Sequence, residues 1–171
     1  MLDLPLGSDE QAQPARSASM QLAQGVQCGQ YLLAFNFDWA RQIVDEFDLV
    51  PVPRAPSWVL GAVNVNGLIV PVVDIDNYFS ENTSPAQLQR GQRLLMGGVQ
   101  AEDAENALAI VFSQTPVQLE YDAQPLKDAT ALPPRLQDVC KGVAGAELGQ
   151  LYIEIDPQRL MDALGAELSV I

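Results

Sequence analysis

The sequence predicts a mainly β protein folded as two small packed barrels, on three observations. Short alternating or β-branched runs recur at near-regular spacing, helical periodicity is scarce before residue 156, and the strand pattern restarts after about residue 85. Such a pattern argues against a parallel α/β sheet, which needs a helix between successive strands. The 171 residues suit one domain or two small subdomains. A domain of this size buries roughly 70% of its unfolded surface, enough for a core without staples.

In chain order, Met1 to Gln24 is rich in Gln, Ala, Ser and Pro and is expected to be a mobile tail over residues 1–24, with a short helix as an option from Ala18 to Gln24. The folded domain then runs over 25–171, with a first barrel at about 25–84 and a second at about 85–171. Tyr31-Leu32-Leu33-Ala34-Phe35 is the first strand. Asp38 to Phe47 reads two ways. Trp39, Ile43 and Phe47 recur every four residues, as in a helix capped by Asp38. Gln42 to Glu46 also alternates like a half-exposed strand.

Pro51 to Asp76 organises the chain. Pro51, Pro53 and Pro56 stiffen an extended lead-in. Two apolar runs then flank Asn66-Gly67, a two-residue turn of the kind that needs φ > 0 at both positions. That turn pairs Val65 with Leu68, Asn64 with Ile69, Val63 with Val70, Ala62 with Pro71 and Leu60 with Val73. One face then carries Val59, Val63, Val65, Leu68, Val70 and Val72, the other Leu60, Ala62, Asn64, Ile69, Pro71 and Val73. Both faces are apolar, so the hairpin is expected to be covered twice, by its own core and by a second subdomain or a partner. Pro71 lacks a backbone donor and marks an edge or a bulge.

Ile75 to Phe79 closes the first half, and Ser80 to Gly91 is a polar connector in which Ala86 to Arg90 has room for a helical turn or two. Arg93 to Met96 and Leu108 to Phe112 are strands joined by an acidic hairpin loop. Val117 to Tyr121 and Leu151 to Ile155 alternate like half-buried strands, with a proline-bearing loop at Pro125 to Pro134. Asp156 caps the short C-terminal helix, with Pro157 at its first position and Leu160, Met161 and Leu164 on one face.

The formal net charge of −13 disfavours nucleic acid and an anionic membrane surface as partners. Met1 to Glu10 lacks the basic start and apolar core of a secretory signal, and no apolar run reaches the ~20 residues of a membrane span, so a cytoplasmic protein is expected. Cys28 and Cys140, the two cysteines, have no metal-ligand spacing; one disulfide between them is an option, but buried or idle thiols are expected. There is no histidine, which removes the commonest general base and metal ligand. Asp74-Ile75-Asp76-Asn77 begins like a calcium loop, but Phe79 stands where that loop needs glycine. No metal, cofactor or enzymatic role is expected. A hydrolase built on Asp45, Glu46, Asp74 and Asp76 would need a cleft joining two acids.

The proline-flanked lead-in, Trp58, Gly61, Asn64-Val65-Asn66-Gly67, the apolar run to Pro71, Val72-Val73 and Asp74-Ile75 together resemble the core signature of the CheW family. The resemblance covers about Gly25 to Leu164 and is strongest in the centre. It implies two five-stranded SH3-like barrels sharing an apolar seam, and a strand at Gln42 to Glu46. It implies a non-catalytic adaptor that couples the cytoplasmic tips of chemoreceptors to a CheA-type histidine kinase in a membrane-associated signalling array. The partner-binding residues it maps are Val63, Asn64, Val65, Asn66 and Gly67. The chain departs from the family at Asn66, where arginine is usual, losing a charge and a five-donor fork. It also has Phe112-Ser113 where Val-Asp is common, and Met1 to Gln24 matches nothing in the pattern. The alternative is a stand-alone peptide- or oligosaccharide-binding barrel that uses Trp39, Trp58 and Tyr78 on its surface.

Overall fold

The computed structural model describes residues 20–40, 42–98, 107–122, 124–126, 128–145 and 149–168. Within them the strands are β1 (Gln21–Cys28), β2 (Tyr31–Asn36), β3 (Gln42–Val44), β4 (Val59–Val65), β5 (Leu68–Val73), β6 (Arg93–Gly97), β7 (Leu108–Tyr121), β8 (Cys140–Gly145) and β9 (Leu151–Ile155). The helices are α1 (Ile75–Phe79), α2 (Pro134–Val139) and α3 (Pro157–Leu168).

The longest strand, β7, organises the sheet. Its first part, Leu108 to Phe112, lies antiparallel to β6, and Ala109 and Ile110 pair in parallel with Val72 and Val73 of β5. Its second part, Val117 to Tyr121, lies antiparallel to β1. Between them the register with β1 shifts at Gly25/Gln27, and Gln114 takes φ 66°. This irregularity lets one strand serve two five-stranded barrels: β3, β6, β7, β5 and β4 form the first, and β7, β1, β2, β9 and β8 the second. Single bridges, Val50 to Ala62 and Gln124 to Val143, tie the outer strand of each to a neighbouring segment.

Several expectations need correction. Residues 21–24, placed in the mobile tail, belong to β1; their weak strand propensity is overridden by pairing with both β2 and β7. Residues 1–19 lie outside the described residues. The barrels do not divide near residue 84, because β1 pairs with β7 and β2 with β9, while β6 pairs with β3. The expected strands Leu108–Phe112 and Val117–Tyr121 are one, since Pro116 sits within a bulged strand rather than a turn. Helix α2 and strand β8 had no sequence signal; glycines at 142 and 145 thin the apolar pattern of β8. Ala86 to Arg90 forms no helix, and the expected acidic loop at 99–106 lies outside the described residues. Of Asp38 to Phe47, only Gln42–Val44 is strand, β3, and no described residue of the stretch is helical.

Strands near the seam are covered on both sides, which is why they read as unbroken apolar runs. Leu94, Met96, Ala109, Val111, Val63, Val70 and Val72 fill the first barrel. Their neighbours Leu95, Leu108, Ile110, Phe112 and Val73 point the other way, into a shared core with Leu33, Phe35, Trp58, Tyr78, Leu136 and Leu160. Ala23, Ala34, Leu119, Tyr121, Ala144 and Tyr152 fill the second barrel.

The sequence shows no strict repeat, yet the backbone does. β4, β5, Asp74 and α1 correspond to β8, β9, Asp156 and α3. Asp74 N–H donates to the carbonyl of Trp58 at 2.8 Å, and Asp156 N–H to that of Val139 at 2.9 Å. Both aspartates then cap their helices through Oδ1. Each hairpin carries a bulge, at Val59/Gly61 and at Cys140/Gly142. The first bulge changes the expected register: Val59, not Leu60, pairs with Val73, while the pairs from Ala62 to Val65 stand as expected. Pro71 lies just before β5 begins to pair with β7, on its unpaired outer side.

Candidate functional site

The β4–β5 turn presents the mapped residues. Asn66 and Gly67 adopt φ 53° and 85°, as their residue types allow, and Asn64 Oδ1 accepts the Gly67 N–H at 2.9 Å. Asn64, Asn66 and Gly67 are exposed and Val65 is half-buried. Val63 is buried beneath them in the first barrel, so it supports the turn without offering contact area.

The fold brings β3 beside this turn, which the sequence alone did not reveal. Between them lies a cleft of about 230 Å³. Val44, Phe47, Val65 and Met96 form its apolar part, and Gln42, Glu46, Asn64 and Asn66 are its polar lining. Among the described residues no cationic side chain lines it. Nearby, Arg93 pairs with Asp45 at 3.6 Å and lies over the Phe112 ring at 5.2 Å.

The hairpin's second face meets an apolar groove of about 690 Å³. Val59, which the bulge moves from its expected face to this one, lines one wall with Ile69, Pro71 and Val73, the proline lead-in another, and Met161, Leu164 and Leu168 of α3 a third. The second covering is thus partly supplied by this chain, although Ile69 remains 65% exposed.

A polar cleft of about 520 Å³ contains both Asp74 and Asp76, as a hydrolase would require. Both carboxylates are already engaged. Asp74 caps α1 by accepting the Asn77 N–H at 3.0 Å, and Asp76 accepts from Gln30 at 3.2 Å and Ser80 at 3.4 Å. Burial pushes the Asp74 carboxyl up, opposed by the Asn77 N–H. Because the folded value lies above the unfolded one, the folded chain binds more protons between them, and Asp74 lowers stability as pH rises through that window. Asp74→Asn keeps the cap and discharges it, so its denaturation midpoint should rise relative to the parent from pH 4 to pH 7. Asp74→Ala loses the cap and should cost about 1 kcal/mol at pH 4, and less at pH 7, where it also removes a buried charge.

The aromatics that an oligosaccharide site would need are otherwise employed. Trp58 and Tyr78 are buried and meet edge to face at 5.3 Å, and half-buried Trp39 stacks on Phe35 at 5.7 Å. Burial drives the Cys28 thiol far above its usual range, and both cysteines are free. Among the described residues no group of three His, Cys, Asp or Glu side chains could hold a metal, and no helix is long and apolar enough to cross a membrane.

A family model described as CheW-like domain matches residues 23–165. The chemotaxis protein CheW of Thermotoga maritima is 37% identical over 43 residues, which cover 25% of this chain and 28% of that protein. The match therefore spans less than a third of that relative's length. The crystal structure of scaffolding protein TtCheW from Thermoanaerobacter tengcongensis superposes with a TM-score of 0.60 over 79% of this chain and 88% of that one. At 14% identity that likeness speaks for the fold.

Proposed function

The chain belongs to the CheW-like domain family, and from that premise we propose that it is a non-catalytic adaptor coupling chemoreceptor tips to a CheA-type histidine kinase. It works in the cytoplasm beside membrane receptor arrays, with no catalytic residue, cofactor or metal of its own. The observation that carries this reading is the exposed turn from Asn64 to Gly67, braced by its internal hydrogen bond, inside the stretch that matches the family. A braced turn docks at little conformational cost, since its backbone is ordered before the partner arrives. Asn64, Val65, Asn66 and Gly67 make the contact and Val63 holds it from below. Asn66 in place of the family arginine favours a divergent or auxiliary member, such as one serving a pilus-motility pathway.

Co-sedimentation of the chain with receptor fragments, and separately with kinase fragments, tests the reading. Binding to each is expected, and a receptor fragment should lose the chain on Val65→Glu. Folded chain that binds neither fragment would refute it.

A further inference from the structure

We infer that the cleft between β3 and the β4–β5 turn receives a basic side chain, arginine or lysine, of the docking partner. This rests on the adaptor reading and names the chemistry that the contact selects. The cleft has room for one long side chain rather than a helix, at about 230 Å³. Its half-buried apolar residues Val44, Phe47 and Val65, with buried Met96 beneath them, suit an aliphatic stem, while Glu46, Gln42, Asn64 and Asn66 suit a cationic head.

Charge decides between a basic and an acidic visitor. Three acids, Asp45, Glu46 and Asp48, follow β3 directly. Asp45 is offset by Arg93 at 3.6 Å, whereas the exposed carboxylates of Glu46 and Asp48 have no ion-pair partner among the described residues. Asn66 adds an amide at the tip of the turn, where an arginine would have cancelled that field. An acidic partner group brought here meets like charge, and a basic one gains attraction on approach and in place. Gln42 and Asn66 hold acceptor oxygens that a guanidinium fork can use beside Glu46.

The first test follows methyl shifts of the full chain with N-acetyl-arginine amide, and with N-acetyl-norleucine amide as an uncharged control. The arginine probe should shift Val44, Val63, Val65 and Met96, added salt should suppress the effect, and Glu46→Gln should cut the shift about five-fold at fixed probe concentration. Equal shifts with the uncharged control, shifts scattered over the surface, or indifference to Glu46→Gln would overturn the inference. The second test uses a chemoreceptor-tip hairpin carrying either arginine or glutamate at its contact position. The arginine version should bind more tightly, and Asn66→Arg should reverse the order. Tighter binding of the glutamate version by the parent chain overturns the basic-partner inference and leaves the adaptor reading standing. Binding of the arginine amide in the cleft with neither hairpin bound does the opposite.

Discussion

Tyr121→Phe is expected to destabilise the chain by about 3 kcal/mol, because it strips a buried carboxylate of its closest donor. Glu154, in β9, is 1% exposed and accepts the Tyr121 hydroxyl at 2.6 Å. Its other oxygen, Oε1, has no hydrogen-bond partner among the described residues, and half-exposed Lys141 Nζ stands 4.0 Å from Oε2. Burial and the hydrogen bond to Glu154 both push the phenol up, so Tyr121 keeps its proton, and the pair holds, across the whole neutral range. Glu154→Gln keeps an acceptor for the phenol and removes the buried charge, so it should cost about 1 kcal/mol. Denaturant unfolding of both variants checks the ordering. Equal losses, or a Tyr121→Phe protein as stable as its parent, would contradict the account. The corresponding residue of the first barrel, two before its capping aspartate, is Val72, so only the second barrel carries this polar pair in its interior.

Gly61→Ala and Gly142→Ala should each cost about 3 kcal/mol, whereas Gly145→Ala should change stability by no more than about 0.5 kcal/mol. A Cβ on Gly61 would sit 2.5 Å from the Val50 carbonyl oxygen, and one on Gly142 would sit 2.4 Å from that of Gln124. Neither carbonyl can retreat freely. Val50 O accepts the Ala62 N–H at 2.8 Å, and Gln124 O accepts the Val143 N–H at 2.8 Å. Gly61 also has φ 153°, which side chains rarely adopt. Gly145 lies in the same strand as Gly142 but has nothing within 4 Å of such a Cβ, so it separates crowding from a general loss of glycine. Thermal melts of the three variants give the comparison. A Gly142→Ala melt matching that of Gly145→Ala would show that the second barrel does not close through Gln124.

The parts of the fold that were legible in the sequence are those fixed by local chemistry. Asn66-Gly67 set a turn, and the alternation around it gave the register up to Ala62. Asp156-Pro157 marked the start of α3. The parts that were hidden depend on contacts distant in sequence. β1 looks like tail because Gln21, Ala23 and Gln24 have little strand preference, and only β2 and β7 on either side make them one. β7 looks like two strands because Gln114-Thr115-Pro116 has turn composition, while its bulge serves to carry the strand from one barrel to the other. The slip to Val59 opposite Val73 follows from Val50 crossing close to Gly61, which no local pattern shows. At the candidate site, the turn was visible as a motif. Val63 could not be told from Val65, since which apolar residue is buried depends on the barrel beneath. Glu46 and Gln42 became neighbours of the turn only once β3 was placed.

The adaptor reading is tested most directly by three-component sedimentation of receptor-tip assemblies, CheA-type kinase and this chain. The account predicts that kinase pellets with receptor only when the chain is added, and that Val65→Glu, folded by its melting curve, abolishes this. Kinase that pellets equally well without the chain, or retention unaffected by Val65→Glu, would contradict it.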